Sequence, residues 1–598
     1  MINLDYGIIG NCLTAALVSK NGSIDWCCLP KFDSPSVFAK LLDKEKGGSF
    51  GFEVDESYTI SQNYLPKTNI LVTHFESQDA AFEVRDFMPR YYEDNGKLHT
   101  PLVIIRYLKL LKGEPKFKVV YDPKIGYAQE ETISRIKDNY IKSHTVEGSY
   151  DSVYFYSDFD YESILNGEEL TLKKDSFFML SYYEKILDQT IDRCFLQYQR
   201  TYAYWLNWSE KTTNYNAYNK QIRRSALVLK LLTYEKSGAV LAAATTSLPE
   251  TIGEVRNWDY RFCWIRDASM VLRVLFELGH VDSAQRFMNF IVHTVPNKGD
   301  KMQIMYGING ESILTEYSLD YLSGYENSKP VRVGNAAYIQ KQNDIFGILT
   351  EIIYQQFLYF KNSLEHSEEL WTIVTQIVHT VSENWMKPDK GIWEHRAEDQ
   401  HFTFSKLLCW VAVDRAIKIA KLIHKTSVLE EWEALVSEIS FDIYKKGWNE
   451  EVGAYTQSYG SEALDASILL MEDYGYLEPH DPRYVSTVKA IEKELCRDGL
   501  MYRYKNRDDF GLPSSSFTIC SFWFINSLYK IGEKKKAKEY FDQILSYGNH
   551  LGLFSEDLDF ETKRLLGNFP QAYSHLGLIQ TAINFSGGIS DQEELKNL

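Results

Sequence analysis

A change in the spacing of apolar residues near residue 190 divides this chain into two regions of different secondary structure. Before this point, short runs rich in Val, Ile, Phe and Tyr recur, as at 69–75, 81–87 and 102–108, and several alternate apolar with polar positions. After it, apolar residues recur at helical spacing. Because alternation buries one face of a strand and a period of 3.6 buries one face of a helix, we predict strands followed by helices.

The first region predicts a β-sandwich. Its runs are separated by turn residues and not by helical segments, which is typical of antiparallel sheets packed face to face. We therefore predict an N-terminal antiparallel β-sandwich domain over residues 1–190. Residues 191–220, rich in Tyr and Trp at helical spacing, are interpreted as a linker helix that packs on both domains.

The second region, residues 221–598, predicts an all-α domain. About a dozen amphipathic segments alternate with short and long connections, which indicates helical hairpins closed into a ring. The longest connections precede Cys263, Asn343, Phe402, Ser516 and Tyr573, which begin alternate segments. The long loops should therefore gather at one end of the ring, and we expect function at that end.

Composition excludes some classes of partner. The formal net charge of -17 argues against nucleic acid, whose phosphates would be repelled. No run of about 18 apolar residues predicts a membrane span, and the N-terminus lacks a basic region followed by an apolar one. We therefore expect a cytoplasmic protein with no membrane partner, whereas the net charge says little about a neutral oligosaccharide or disaccharide substrate, which feels no net field.

Two glutamates in short loops are the candidate catalytic pair. Glu394 follows Trp393, and Glu556 lies in Ser555-Glu556-Asp557, in each case ahead of a helical segment. Cleavage of a glycosidic bond needs one protonated and one ionised carboxyl group. Trp393 should raise the pKa of Glu394, as an acid requires, whereas Glu556 is expected to be exposed to water and ionised, as a base requires.

Two further segments carry candidate sugar-binding groups. Residues 257–267 crowd aromatic rings with charged groups, and Arg266-Asp267 could bind vicinal hydroxyls or could only be a charge pair at a helix start. The Tyr306 ring could stack against a sugar, or it could only fill space in the packing of its loop. No zinc signature, phosphate loop or nucleophile elbow occurs, so we expect no cofactor and no metal ion.

Read together, these segments resemble glycoside hydrolase family 15, which contains glucoamylases, related α-glucosidases and some trehalases. The resemblance covers nearly the whole chain and is specific as an ensemble. The matching positions are 5–10, 21–26, 32–35, 257–267, 303–310, 330–335, 391–394, 405–406, 409–410 and 567–575.

The resemblance implies a β-sandwich, a linker helix and an (α/α)6 toroid. It also implies that Glu394 is the general acid, that Glu556 is the general base, and that Arg266 and Asp267 bind the terminal glucose. The remaining substrate-binding residues that we expect are Trp258, Trp264, Tyr306, Trp393 and Arg503. One departure is Ser514-Ser515-Ser516, where relatives usually have an acidic residue; it weakens inferences about the leaving group.

The main expectation is an inverting exo-acting hydrolase that releases β-D-glucose from α-glucans or malto-oligosaccharides, as glucoamylases do. Inversion predicts carboxyl groups about 6.5–9.5 Å apart, because a water molecule must fit between base and sugar. The alternatives are a trehalase, a phosphorylase on a similar toroid, and a non-catalytic glycan-binding protein. The sequence leaves open the linkage preference, the oligomeric state and any calcium requirement.

Overall fold

The structure, a computed structural model, describes residues 3–148, 151–186, 189–294, 302–360, 363–395 and 398–589. The last nine residues of the predicted all-α domain, 590–598, lie outside the described residues. Within the described ranges, no helix is both long enough and apolar enough to cross a bilayer.

Two antiparallel sheets form the N-terminal part of the chain. The first contains β1 (Tyr6–Gly10), β2 (Ala15–Ser19), β3 (Ile24–Cys28), β4 (Ser36–Phe38), β5 (Ser49–Glu53), β12 (Lys116–Asp122) and β16 (Leu170–Thr171). The second contains β6 (Thr59–Tyr64), β7 (Leu71–Glu76), β8 (Ala81–Phe87), β11 (Val103–Lys112), β13 (Thr132–Lys137), β14 (Tyr140–Thr145), β15 (Ser152–Ser157) and β17 (Ser176–Tyr182). A hairpin of β9 (Tyr91–Tyr92) and β10 (Leu98–His99) and the short helix α1 (Tyr161–Leu165) complete this part.

The two sheets pack face to face, so the predicted β-sandwich is confirmed. Phe50 of the first sheet contacts Phe155 and Phe178 of the second, with ring centroids 5.5 and 6.1 Å apart. A fully buried ion pair joins Arg106 Nε to Asp86 Oδ1 at 2.7 Å, and Arg106 also donates to the Phe50 carbonyl across the sheets. This charge is tolerated in the core because its guanidinium donors meet acceptors.

Helix α2 (Ile191–Glu210) connects the sandwich to the helical part. It begins at Thr190, whose hydroxyl accepts from the Arg193 backbone N–H. On one side Tyr198 stacks against Tyr107 of the sandwich, and on the other Trp208 stacks against His280 of the helical part. The helix therefore packs on both parts, as expected for the linker.

The helices that follow form a double ring. They are α3 (Asn219–Leu231), α4 (Ile265–Glu277), α5 (Val281–Thr294), α6 (Asp344–Tyr359), α7 (Leu364–Asn384), α8 (Thr403–Leu422), α9 (Leu429–Lys446), the 3-10 helix Ala466–Met471, α10 (Pro482–Leu495), α11 (Thr518–Lys530), α12 (Lys534–Leu545) and α13 (Ala572–Phe585). The inner ring runs α4, α6, α8, the 3-10 helix, α11 and α13, and α13 packs on α4 to close it. The (α/α)6 architecture is thereby confirmed.

Short two-residue strands link the loops at one end of this ring. They are β18 (Cys263–Trp264), β19 (Met305–Tyr306), β20 (Tyr317–Ser318), β21 (Arg332–Val333), β22 (Trp448–Asn449), β23 (Ala454–Tyr455), β24 (Cys496–Arg497), β25 (Leu500–Met501), β26 (Ser516–Phe517), β27 (Asp557–Leu558) and β28 (Leu565–Leu566). The predicted long connections precede α4, α6, α8, α11 and α13, which are all inner helices.

The sandwich braces the loop ahead of α4. Arg261 and Asp259 form a fully buried ion pair, and Arg261 Nη1 donates to the Ser34 carbonyl of the sandwich at 3.0 Å. Trp26 of the sandwich donates from Nε1 to the Ala244 carbonyl at 2.9 Å. The N-terminal domain thus positions a loop of the ring without itself lining the pocket described next.

Candidate active site

One pocket opens among the loops that precede the inner helices. Five of the nine predicted site residues line it: Trp258, Arg266, Trp393, Glu394 and Arg503. All of its lining residues lie at position 250 or later, so every wall comes from the helical part. Segments far apart in the sequence meet here because each hairpin of the ring returns the chain to the same end.

Glu394 ends a tight turn at the pocket wall. Its φ of 60° lies in the left-handed region, which few non-glycine residues adopt. The turn is closed by a bond from the Glu394 N–H to the Gly391 carbonyl at 3.2 Å, and the Glu394 carbonyl accepts from Gln340 Nε2 at 3.1 Å. Strained conformations of this kind persist where the surroundings hold them, and they cluster at functional sites.

The Glu394 carboxyl group is held by a tryptophan other than its neighbour. Trp264 Nε1 donates to Glu394 Oε1 at 2.7 Å, whereas Trp393 Nε1 donates to Asp465 Oδ2 at 2.8 Å. Burial raises the pKa of Glu394, while the charge of Arg266 and the bond from Trp264 oppose that rise. The pKa moves in the expected direction, and the cause is burial in the pocket wall.

Glu556 differs from its prediction as a water-exposed residue. Its side chain is fully buried, because the loop that carries it joins the sheet β26-β27-β28 beneath the pocket. Tyr260, which lines the pocket, donates from its hydroxyl to Glu556 Oε1 at 2.6 Å, and the Asn568 N–H donates to Oε2 at 3.2 Å. Glu556, like Trp264 and Asp267, is not itself a lining residue of the pocket; Tyr260, which is one, contacts its carboxyl group.

Gly567 is required by the position of Glu556. Its φ is +71°, and a Cβ at this position would lie 2.6 Å from Glu556 Oε2. Only glycine allows the backbone to pass this close to the carboxyl group without displacing it. The glycine that begins Gly567-Asn568-Phe569-Pro570-Gln571 thus fixes the orientation of Glu556.

Two more carboxyl groups surround Glu556. Oxygens of Glu250, Glu556 and Asp557 all lie within 4.8 Å of one another, and Arg503 pairs with Glu250. Burial and the charge of Glu250 raise the pKa of Glu556 to about 8 and raise that of Asp557 well above its usual range. Three carboxyl groups this close cannot all be ionised, so protons are shared in the cluster.

The same oxygens could serve a hard cation, since carboxylates are its preferred ligands. Both Glu556 oxygens already accept protein hydrogen bonds, and Glu250 accepts from Arg503 and from Trp258 Nε1. Asp557 Oδ2 has no hydrogen-bond partner among the described residues, so the cluster keeps some acceptor capacity. The raised pKa values of Glu556 and Asp557 favour proton sharing in it.

Arg266 and Asp267 begin α4 at the pocket floor. Arg266 Nε donates to Asp267 Oδ1 at 2.9 Å, and Arg266 Nη1 donates to the Ile392 carbonyl at 2.8 Å. Arg266 is thus fixed against the turn that carries Glu394. A guanidinium group beside a carboxylate is a combination that can bind neighbouring hydroxyls.

A second segment closes the pocket beside Trp258. Arg256 pairs with Asp508 and donates to the Gly511 carbonyl at 3.1 Å, and Phe510 meets Trp258 edge to face with centroids 5.2 Å apart. The loop before α4 and the loop before α11 are therefore tied together. Arg256 also pairs with Glu254 at 3.9 Å, and Asp508 accepts from the Tyr504 hydroxyl at 2.6 Å. Both groups thus have local partners, and the sequence does not reveal that they also meet each other.

The structure corrects one predicted site residue and locates one sequence departure. Tyr306 is 2% exposed, pairs with Cys263 across β18-β19 and does not line the pocket, so it is a core residue. Ser514 contacts Thr251 with hydroxyl oxygens 2.7 Å apart, and Ser515 hydrogen bonds to Asp557. An acid in this serine segment would add a further negative charge beside the cluster.

Several pocket residues were missed by sequence reasoning. Glu250, Tyr260 and His395 line the pocket, and His395 carries a buried Nε2 without a hydrogen-bond partner among the described residues. Tyr260 lies inside the segment 257–267, and His395 follows Glu394. Their positions next to predicted site residues could therefore have pointed to both as pocket residues. Glu250 has no such signal, because it reaches Glu556 only through the fold.

Comparisons with known proteins match both parts of this chain. A family model described as glycosyl hydrolases family 15 matches residues 216–538, and one described as trehalase-like, N-terminal matches residues 5–159. A trehalase of Mycolicibacterium smegmatis is 36% identical over 97% of this chain and 90% of its own length. A trehalase of Thermoplasma volcanium is 34% identical over 96% of this chain and 92% of its own length.

A solved structure supports the fold. A bacterial glucoamylase complexed with acarbose superimposes with a TM-score of 0.72 at 13% identity, covering 100% of this chain and 96% of that one. At this identity the likeness concerns architecture alone.

Proposed function

The chain belongs to glycosyl hydrolase family 15 and is a glycoside hydrolase, and we propose that its substrate is α,α-trehalose. The observation that carries this proposal is the full-length similarity to proteins named trehalase. The sequence alone favours malto-oligosaccharides; the relatives favour the trehalase alternative. Arg256 and Asp508 form an ion pair in the pocket wall, and a pocket closed on this side also supports a small substrate.

In the proposed reaction, Glu394 is the general acid. It donates its proton to the oxygen that bridges the two glucose units as the bond from that oxygen to the anomeric carbon breaks. Burial supports this role, since it raises the pKa of Glu394 and keeps the proton available. Trp264, which donates to Oε1, leaves the other oxygen of the carboxyl group to carry the proton.

Glu556 is the proposed general base. It accepts a proton from the water that attacks the anomeric carbon from the opposite face, and it acts only when ionised. Tyr260 supports this role, because its hydroxyl contacts Glu556 and its ring lines the pocket. Trp264 is hydrogen-bonded to Glu394, and Tyr260 is hydrogen-bonded to Glu556. Because two different side chains hold the two carboxyl groups, the arrangement supports a gap between them that is wide enough for the water.

The remaining predicted residues are proposed to bind the sugar. Arg266 with Asp267 would hold hydroxyls of the glucose that is attacked, and Trp393 would pack against its apolar face. Trp258 and Arg503 lie beside Glu250 and are proposed to contact the same pocket occupant.

The test is the anomeric composition of the first product. Inversion at one anomeric carbon of trehalose forms one β-glucose and leaves the second glucose as the α anomer. Proton NMR of an early digest should therefore show the two anomers in equal amounts. Product that is all α at first would contradict the inverting mechanism.

A substrate panel tests the rest of the proposal. Trehalose, maltose, maltotriose, isomaltose and starch should be compared with and without inorganic phosphate. Preference for maltotriose or starch would favour the glucoamylase-like alternative, and a phosphate requirement accompanied by glucose phosphate as product would favour a phosphorylase. Binding without turnover of any sugar would favour a glycan-binding protein.

A further inference from the structure

A second cavity lies where the sandwich, helix α2 and the helical ring meet. Its volume is about 710 Å³, within the usual range of small-molecule sites. The sandwich contributes Arg90 and Tyr92, α2 contributes Arg200 and Trp208, and α5 contributes its first turn. We call this the interdomain cavity. Clefts between domains are preferred places for ligands, because walls from separate elements surround the occupant.

The charge of this cavity is opposite to that of the protein. Five cations line it, and its lining contains a single acid, Asp282, whose side chain is 90% exposed. The cations are Arg90, Arg200, Lys211, Lys230 and Arg286. In a chain with a formal net charge of -17, such a concentration of positive charge needs an explanation. A concave basic surface concentrates anions through its local field.

The part of the cluster that surrounds Glu235 is incompletely neutralised. Arg90, Lys230 and Arg286 all pair with one carboxylate, Glu235, behind the cavity wall. Burial favours the protonated form of Glu235, yet these three cations lower its pKa to about 2. One negative charge thus serves three positive charges, and the buried Arg90 Nε has no hydrogen-bond partner among the described residues.

Aromatic rings form the rest of the wall. Trp208 is stacked on His280 with ring centroids 3.8 Å apart and planes 4° from parallel, so the indole is held in place. Arg90 lies over the Tyr204 ring at 4.8 Å from its centroid. A flat organic group could pack against these rings while an anionic group meets the cations. Inorganic phosphate alone would leave most of the volume unfilled.

We propose that the interdomain cavity binds an organic phosphate. The phosphate group meets Arg200, Lys211 and Arg286, which reach the cavity from α2, its C-terminal end and α5. The organic part packs on Tyr204 and Trp208. This site is separate from the sugar pocket, whose walls come from other residues, and it does not depend on the identity of the sugar substrate.

A purely structural role does not explain the outer cations. Arg90 and Lys230 are buried and hold backbone or carboxylate groups, so they stabilise the domain junction. Arg200 and Lys211 are exposed; Arg200 lies over the Tyr91 ring at 5.3 Å from its centroid, and Lys211 pairs with Asp282 at 3.9 Å. Exposed pairs of this kind contribute little to stability. Replacing Arg200 and Lys211 by neutral residues should therefore leave the fold intact and weaken binding of the ligand.

The test is calorimetric titration of the full chain with ATP, glucose 6-phosphate, inorganic phosphate and glucose. At least one organic phosphate should bind saturably, more tightly than inorganic phosphate, and glucose should leave this site empty. The variant Arg200→Gln/Lys211→Gln should weaken that binding at least about tenfold, because the phosphate loses two charge-assisted contacts. Added salt should weaken it as well.

A matched variant controls for net charge. Lys173→Gln/Lys174→Gln removes two exposed cations from the sandwich, away from the cavity, and should bind as the parent does. Repeating the titration in Glu394→Gln saturated with trehalose separates this cavity from the sugar pocket. Absence of saturable binding, equal binding of inorganic and organic phosphate, displacement by trehalose, or no loss in the Arg200→Gln/Lys211→Gln variant would overturn the proposal.

Discussion

Tyr260 and Trp264 lie in edge-to-face contact, with ring centroids 5.2 Å apart, and each donates a hydrogen bond to a different one of the two candidate catalytic glutamates. Tyr260 contacts Glu556 at 2.6 Å and Trp264 contacts Glu394 at 2.7 Å. Two carboxyl groups that are 162 positions apart in the chain are therefore joined through residues four positions apart.

Replacing either glutamate should remove activity and keep the fold. Glu394→Gln and Glu556→Gln preserve size but lose proton transfer, so each should lower kcat by on the order of 10²–10⁴-fold. Initial rates on trehalose and thermal unfolding are the measurements. Glu450→Gln, at an exposed glutamate, is the control and should change neither. Near-normal activity of Glu394→Gln or Glu556→Gln on trehalose, maltose and isomaltose would show that its assigned role is wrong.

Glu250→Gln should shift the pH profile of kcat/KM toward lower pH. The base works only when ionised, and a pKa of about 8 for Glu556 means that kcat/KM rises with pH through that value. Removing the negative charge of Glu250 lowers the pKa of Glu556, so the rise should move down by on the order of one pH unit.

The control for this prediction is Glu561→Gln, at an exposed glutamate between β27 and β28. Its profile should match that of the parent. A profile of Glu250→Gln that is unchanged or moved to higher pH would exclude the proposed influence of Glu250 on the base.

Tyr260→Phe should shift the same profile in the opposite direction. The tyrosine hydroxyl donates to the ionised carboxylate and so lowers the pKa of Glu556; its loss raises that pKa. At pH 7 a smaller fraction of the base is ionised, and kcat/KM should fall about tenfold or more. Tyr317→Phe, at an exposed tyrosine, is the control. The prediction fails if the profile of Tyr260→Phe overlies that of the parent.

Gly567→Ala should lower both stability and activity. The new methyl group would lie 2.6 Å from Glu556 Oε2, so the carboxyl group or the loop must move. Gly552→Ala is a matched control, since Gly552 has nearly the same φ of +73° but open space around its Cβ position. Both variants incur the backbone cost of about 1–2 kcal/mol, and only Gly567→Ala should lose activity. Equal kcat in the two variants would contradict a role in holding Glu556.

Asp508→Asn should relax the preference for a short substrate. It removes the charge that pairs with Arg256, so the loop before α11 is held less firmly over the pocket. The ratio of kcat/KM for maltotriose to that for trehalose should rise severalfold. Asp498→Asn, at an exposed aspartate between β24 and β25, should leave this ratio unchanged. A lower ratio in Asp508→Asn would argue against this wall as a barrier to longer substrates.

Much of the fold follows from local pattern. The runs at 69–75, 81–87 and 102–108 are strands β7, β8 and β11, because alternation records which face is buried. The strands before residue 54 do not show the alternation of apolar and polar residues that predicts a strand. All five residues of β3 are buried, since one face of the sheet packs on the second sheet and the other on the helical part. A strand covered on both sides loses the pattern that would reveal it.

The candidate site was predictable where chemistry is concentrated in a short segment. Glu394, Arg266 and Asp267 stand among aromatic residues and near helix starts, and the pocket contains or adjoins them. Tyr306 looked similar in the sequence, yet its ring is turned into the core by the β18-β19 pairing. The direction in which a loop side chain points depends on a partner strand that is distant in the chain.

The sequence by itself determined the order of strands and helices along the chain and the alternation of inner and outer helices, and it singled out the two candidate glutamates, because these depend on periodicity and on local residue type. Only the tertiary structure decided that Glu556 is buried, that Glu250 and Asp557 crowd it, and that five cations surround the interdomain cavity. Burial and charge proximity are sums over neighbours from distant segments. No local pattern contains those sums, since they exist only after the ring closes.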